Sequence, residues 1–273
     1  MDTSLPLRSA GPARGVLRTA APDGCLAGNR VLPPPALAPF VHHFWSLRWD
    51  LRSPFTAEAL PHPSARIFLE ETEGAPRAQF AGVYPERFTR RLEGQGQTFG
   101  IAFRAAMAQP LLGRPMVCVT GRVVPLTRVL GRSVEPWARA ILAARDLETK
   151  VALASDFLAS RVGSAKPRVV RLRDLVERMG TDRSLLRIEQ VCAASGLGAR
   201  ALQRAFSRYV GMSPKSVLRR YRLLEASEQL RGRRPPSLAA LATSLGYADQ
   251  AHFARDFKLT VGRSPGAFAR STR

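Results

Sequence analysis

Cysteine is nearly absent. Cys25, Cys118 and Cys192 are the only three in 273 residues. An odd, widely spaced set excludes a disulfide framework, and no Cys-x-x-Cys or Cys/His pair has zinc-type spacing. Acidic residues are also scarce: 21 Asp and Glu stand against 42 Lys and Arg, a net charge of +21. No apolar run of about 18 residues occurs, so no membrane span is expected. The N-terminus has no continuous apolar core of the signal-peptide kind, because proline and arginine interrupt it. Gly-x-Ser-x-Gly, His-Glu-x-x-His and Walker-type loops are missing. These absences point to a reducing cytoplasm and to a chain with no catalytic residue, no metal ligand and no cofactor.

What is present is positive charge, most of it arginine. Only four of the basic residues are lysine. That bias, with abundant Ala, Pro and Gly, reflects GC-rich coding as much as selection for arginine. From residue 169 onward there are 20 basic and 8 acidic residues, net +12, and the remainder carries +9. Such an excess draws a protein to phosphate backbones irrespective of sequence.

Residues 188–273 hold one pattern twice. The first copy runs Val191, Cys192, Gly196, Leu202, Phe206, Gly211, Ser213, Pro214. The second runs Leu241, Ala242, Gly246, Phe253, Phe257, Gly262, Ser264, Pro265. The glycines Gly196 and Gly246 are 50 apart and the phenylalanines Phe206 and Phe257 are 51 apart, so one residue has been added between them in the second copy. Each copy reads as a short helix, a glycine turn, a second helix and a Gly-x-Ser-Pro stop, which is a helix-turn-helix. Ile188, Val191 and Cys192 make one apolar stripe. Leu202, Ala205, Phe206 and Tyr209 continue the helical period beyond the turn. In the second copy Ser237 is the expected N-cap, and Phe253 and Phe257 anchor the second helix.

The opposite faces of those second helices carry Arg200, Gln203, Arg204 and Arg208 in one copy and Gln250, His252 and Arg255 in the other. Arg matches guanine and Gln matches adenine in the major groove. A single such face is as often merely solvated; two faces on one architecture favour base reading. Between the copies, Ser213 and Pro214 start a helix reaching about Leu230. It spans roughly 25 Å, enough to hold two readers about one DNA turn apart. Arg231, Arg233 and Arg234 follow in a loop and are assigned to phosphate contact.

The segment RIEQVCAASGLGARALQRAFSRYVGMSPKSVLRRYRLLEASEQL, followed by LAALATSLGYADQAHFARDFKLTVGRSPGAFAR, resembles the AraC/XylS-type DNA-binding domain. The resemblance covers about residues 169–270 and rests on the Gly246–Lys258 run and both Gly-x-Ser-Pro stops. It implies a bacterial transcription regulator whose two recognition helices enter successive major grooves of double-stranded DNA. Carried over by motif, Arg200, Gln203 and Arg204 contact bases in the first reader, and Gln250, His252 and Arg255 in the second. Ala251 and Ala254 stand where other members often have polar groups, so the second reader specifies fewer bases or uses methyl contacts to thymine.

The N-terminal half reads differently. Residues 1–28 are rich in Pro, Gly, Ala and Arg and are expected to be a disordered tail. Short β-rich segments then follow at 55–60, 65–70, 78–82, 88–93 and 98–103, as in a sandwich or barrel. Helical patterns return at 137–144 and 148–161. The expected organisation is a regulatory α+β domain over 29–162, a cupin-like barrel or sandwich plus helices. A linker over 163–168 and an all-α domain of two helix-turn-helix units over 169–273 complete it. The LRWD, LPHPSARIFLE and FGIAFR runs resemble an uncharacterised sensor type fused to such DNA-binding domains. The His pattern of metal-binding cupins is absent. His42 and His43, being adjacent, are expected on opposite faces of a strand, and His62 is read as structural or exposed. Arg66 and Arg104 are weighed as partners of a ligand carboxylate against ordinary surface arginines.

The leading reading is therefore a sequence-specific regulator controlled by its N-terminal half and bound to the bacterial nucleoid through DNA. Its further partners are RNA polymerase, a small-molecule effector and a second copy of the chain. Two alternatives stand beside it: a DNA-repair methyltransferase-like enzyme, against which the cysteine spacing speaks, and a sequence-indifferent basic DNA-binding protein.

Overall fold

A computed structural model describes residues 7–11, 15–18, 24–60 and 62–272. Seven strands form one antiparallel sheet: β1 (Val16–Arg18), β2 (Gly24–Val31), β3 (Val41–Ala59), β4 (Arg66–Thr72), β5 (Ala75–Ala81), β6 (Phe88–Phe103) and β7 (Val123–Pro125). The order is β1-β3-β6-β4-β5-β7, with β2 paired to β3 beside β1. An α+β N-terminal half followed by helices is thus the observed class.

The expected short strands at 55–60, 88–93 and 98–103 are parts of two long ones. β3 and β6 pair from Val41↔Phe103 to Ala59↔Phe88. Pro54, which has no N–H to give the ladder, falls where the register shifts between Leu51 and Phe55, the position a strand proline requires. Glycines in β6 that read as strand breaks are sites of close approach instead. Trp49 pairs with Gly96 and Trp45 with Gly100. A Cβ on Gly96 would lie 2.2 Å from the Trp49 ring, and one on Gly100 would lie 2.1 Å from that of Trp45.

Part of the expected disordered tail is also strand. Residues 24–31 pair with 44–51 along the outer edge of β3. Most of β2 is exposed, because an edge strand is held by backbone hydrogen bonds and needs few apolar side chains; composition gave no sign of it. Residues 1–6, 12–14 and 19–23 of that tail lie outside the described residues.

Helix α1 (Gln109–Leu112) stands between β6 and β7, and α2 (Thr127–Leu130), α3 (Val134–Ala143) and α4 (Leu147–Val162) follow β7. α3 and α4 meet through Trp137 and Phe157, stacked 4.0 Å apart. α5 (Pro167–Thr181) starts after four intervening residues, within the segment expected as linker. Then come α6 (Ile188–Ser195), α7 (Ala199–Ala205, extended by a π-turn over Phe206–Val210), α8 (Pro214–Arg231), α9 (Leu238–Ser244), α10 (Gln250–Val261) and α11 (Pro265–Ser271). One apolar core runs without interruption from the sheet through α5 to Phe206, Val210, Val217 and Leu218. A second joins Leu17 and Leu60 to Leu241, Phe253, Phe257 and Phe268. The N-terminal half therefore packs on both repeat units.

Candidate nucleic-acid interface

In the first unit α6 begins where the Gln190 side chain accepts the Leu186 and Arg187 amides at 2.8 and 2.7 Å, satisfying donors that a helix start leaves open. Gly196 turns the chain at φ 65°, a left-handed conformation costly to a residue with a Cβ. Leu202 and Phe206 are fully buried. Arg200, Gln203, Arg204 and Arg208 are all exposed.

The second unit repeats this frame. Ser237 Oγ accepts the Ala240 amide at 3.2 Å, as expected of the N-cap. Gly246 turns at φ 73°. Asp249 caps α10 by accepting the His252 amide at 2.6 Å. That cap was not read from the sequence, although an Asp directly before a periodic run is the signal for one. The caps of the two second helices are Gly198 and Asp249, so the added residue lies in the second turn. Gln250, His252 and Arg255 are exposed, opposite Phe253 and Phe257, which are fully buried.

The loop arginines divide. Arg233 and Arg234 are exposed. Arg231, also expected at phosphate, is occupied: it donates to the Val16 carbonyl and to Glu228 and lies 5.1 Å from the Phe268 ring centroid. Sequence reasoning missed this because its partner β1 falls in a stretch read as disordered.

α8 is more than a rod. Arg219 bonds Asp256 and Thr260 of α10. Arg222 donates to the Leu186 carbonyl ahead of α6. Arg220, 2 % exposed, donates to the carbonyls of Tyr84, Pro85 and Glu86. Burial lowers its guanidinium to about 10, which leaves it charged at pH 7. The turns that close both readers are held as well. Thr120 Oγ1 donates to the Gly211 carbonyl at 2.5 Å, and Arg87 donates to the Val261 carbonyl at 3.3 Å. The linker expected over 163–168 thus joins halves that are bonded at several other places.

A cavity of about 450 Å³ lies between the sheet and helices α5 and α8, lined by His42, His43, His62, Arg66, Glu177 and Tyr221 among others. His42 and His43 do not face apart. The register shifts between Val41 and His43, and this bulge brings the two Nδ1 atoms to 2.9 Å. His62 stacks on His42 at 6.1 Å. Arg104 is bound to Glu177 at 2.6 Å, whereas Arg66 makes no ion pair among the described residues and lines the cavity. Among the described residues no three His, Cys, Asp or Glu side chains are grouped to hold a metal.

Burial, then the neighbouring Arg30, pushes the His43 imidazole down to about 2. Burial and Arg104 lower that of His42. A base whose folded value lies below its unfolded value of about 6.5 binds protons mainly when unfolded. Stability is then full above pH 6.5 and falls as the pH drops below it. For the half-buried His43 the fall is at most about 1.4 kcal/mol per pH unit. Denaturant unfolding from pH 8 to 4 is expected to show this loss, and His43→Gln to flatten it; equal slopes would assign acid sensitivity elsewhere.

Residues 191–271 match the family described as helix-turn-helix domain, and residues 29–125 match a domain of unknown function, DUF6597. The HTH-type transcriptional regulator MtrA of Neisseria gonorrhoeae is 31% identical over 81 residues, which are 30% of this chain and 27% of that protein. The chain therefore spans about a quarter of the length of that curated relative. A solved structure of a probable AraC family transcriptional regulator from Rhodopseudomonas palustris is 31% identical, covering 38% of this chain and 97% of that one, with TM-score 0.33. ToxT from Vibrio cholerae is 9% identical, covering 91% of this chain and 98% of that one, with TM-score 0.42. Residues 191–271, with their tandem helix-turn-helix units, thus match a helix-turn-helix domain family behind an N-terminal domain of unknown function, the combination that the resemblance to AraC/XylS-type regulators implies.

Proposed function

We propose that the chain is a sequence-specific transcriptional regulator that reads two successive major grooves with α7 and α10, under the control of its N-terminal half. The carrying observation is the equivalence of the two readers. Each is anchored by fully buried phenylalanine, entered through a left-handed glycine, and presents Arg and Gln outward. A sequence-indifferent binder needs only charge and not this repeated exposure of base-matching side chains. No reaction is assigned to the chain. Double-stranded DNA is its partner, and RNA polymerase, a small-molecule effector and a second copy complete the reading. No helix among the described residues is long and apolar enough to cross a membrane, which suits a protein working at the nucleoid.

Footprinting on the chain's own upstream DNA tests this. Arg204→Ala and Arg255→Ala are each expected to cost about 1–3 kcal/mol at the proper site and to relax preference at a few bases. Equal losses on specific and random DNA would leave only the sequence-indifferent binder. The same footprint, repeated with small organic acids, tests the effector. A shift is expected with the natural chain and not with Arg66→Ala, whose guanidinium lines the cavity and forms no ion pair among the described residues; a shift kept by the variant moves the effector elsewhere.

A further inference from the structure

Helix α5 lies outside both repeats, yet its two faces are specialised. Val169, Leu172, Leu175, Val176 and Met179 are buried. Arg168, Arg171 and Arg178 are exposed and share one stripe at helical spacing. They line one wall of a groove whose other wall is α7, with Arg200, Arg204 and Arg208. The one acid on the groove, Asp174, is taken by Arg173 at 2.7 Å, and Arg178 is paired with Asp182 at 3.0 Å. Among the described residues Arg168, Arg171 and Arg208 form no ion pair. Arg168 and Arg208 both approach the Tyr209 ring, at 5.9 and 5.7 Å from its centroid, which brings a cation from each wall to the same aromatic side chain.

This is the geometry a phosphate strand needs. A helix with its side chains is about 10–12 Å across, close to the width of the major groove. When α7 lies in that groove, the backbone strand bordering it runs alongside the helix, into the concavity that α5 closes. We propose that the groove between α5 and α7 seats one phosphate strand of the DNA, with Arg168 and Arg171 of α5 and Arg208 of α7 as its ligands. Arg208 thereby becomes a phosphate contact, while Arg200, Gln203 and Arg204 read bases. The proposal rests on α7 being a recognition helix.

The opposite face of α5 gives the contact a second meaning. Arg173 donates to the Pro39 carbonyl at 3.1 Å, Glu177 binds Arg104, and Gly180 and Thr181 line the histidine cavity. At about 100° per residue these positions lie on the order of 140° around the helix from the arginine stripe. One element thus connects the cavity between the sheet and α8 to the backbone seat, with no loop between them.

The test is the salt dependence of binding by the full chain. Each phosphate contact contributes about 0.9 to the slope of log K against log salt. Arg168→Ala and Arg171→Ala are each expected to lower the slope by about 0.9. The loss should be equal on specific and random DNA, with base preference unchanged. Arg168→Lys and Arg171→Lys should keep the slope. Arg168 and Arg171 are both exposed on α5, so melting curves should show folded protein. A double alanine variant with an unchanged slope overturns the proposal. If Arg204→Ala still alters base preference in that case, the recognition reading survives. If the natural chain leaves no footprint at all, both fall together.

Discussion

Replacing Phe257 by alanine is expected to unfold the second reader and shrink the footprint from two grooves to one. The side chain is fully buried, 5.7 Å from the Phe253 ring and 5.5 Å from that of Phe268. Its neighbours include Leu230, Leu241 and Val261 in a small core separate from the main one. Truncating a buried phenylalanine costs about 3–5 kcal/mol, a large part of the 5–15 kcal/mol that holds a typical domain. The main core does not share that cost, because Phe206 anchors the first reader there. Urea unfolding should show an early partial transition, and the first groove should stay protected. Loss of both grooves together would mean that the two units fold as one.

Arg220→Ala is expected to loosen the N-terminal half from the readers at a cost of about 2–4 kcal/mol. Three carbonyls, from Tyr84, Pro85 and Glu86, converge on this one guanidinium. They lie in the stretch that also lodges against the second recognition segment, since Arg87 follows at once and bonds Val261. Removing the cation leaves three partly buried acceptors without this donor, which costs more than the net value of the bonds themselves. Lysine should recover only part of the loss, because an ammonium on a flexible stem lacks the planar fork of donors. Unfolding followed by helical ellipticity should become biphasic in the alanine variant. A single transition at the original midpoint would show that the shared apolar core alone joins the halves.

The helix-turn-helix units are legible in the sequence because every signal in them is local. Gly196 and Gly246 turn where a glycine in an apolar period must, Ser213 and Ser237 cap as serine before a helix does, and both phenylalanine anchors are buried. What escapes is set by distant partners. Gly96 and Gly100 read as breaks because their neighbours Trp49 and Trp45 lie some 50 residues away in the chain. Arg231 reads as a phosphate ligand because nothing near it in sequence reveals Val16. Strand alternation alone sets His42 and His43 apart, and a single bulge overrides it. Arg168 and Arg171 carry no motif at all; only their position across a groove from α7 distinguishes them from other surface arginines.

The tryptophans pressed onto β6 carry an optical consequence. Trp45, Trp49 and Trp137 are the chain's only three, and all precede Gly163. The first two are stacked over glycines in the sheet, and the third lies against Phe157. Tryptophan emission, excited apart from tyrosine, is therefore a signal from the N-terminal half, while neither reader contains an indole. DNA bound at α7 and α10 touches no tryptophan. A change in emission on adding DNA thus measures a displacement passed through α5 and α8 into the sheet, without any label.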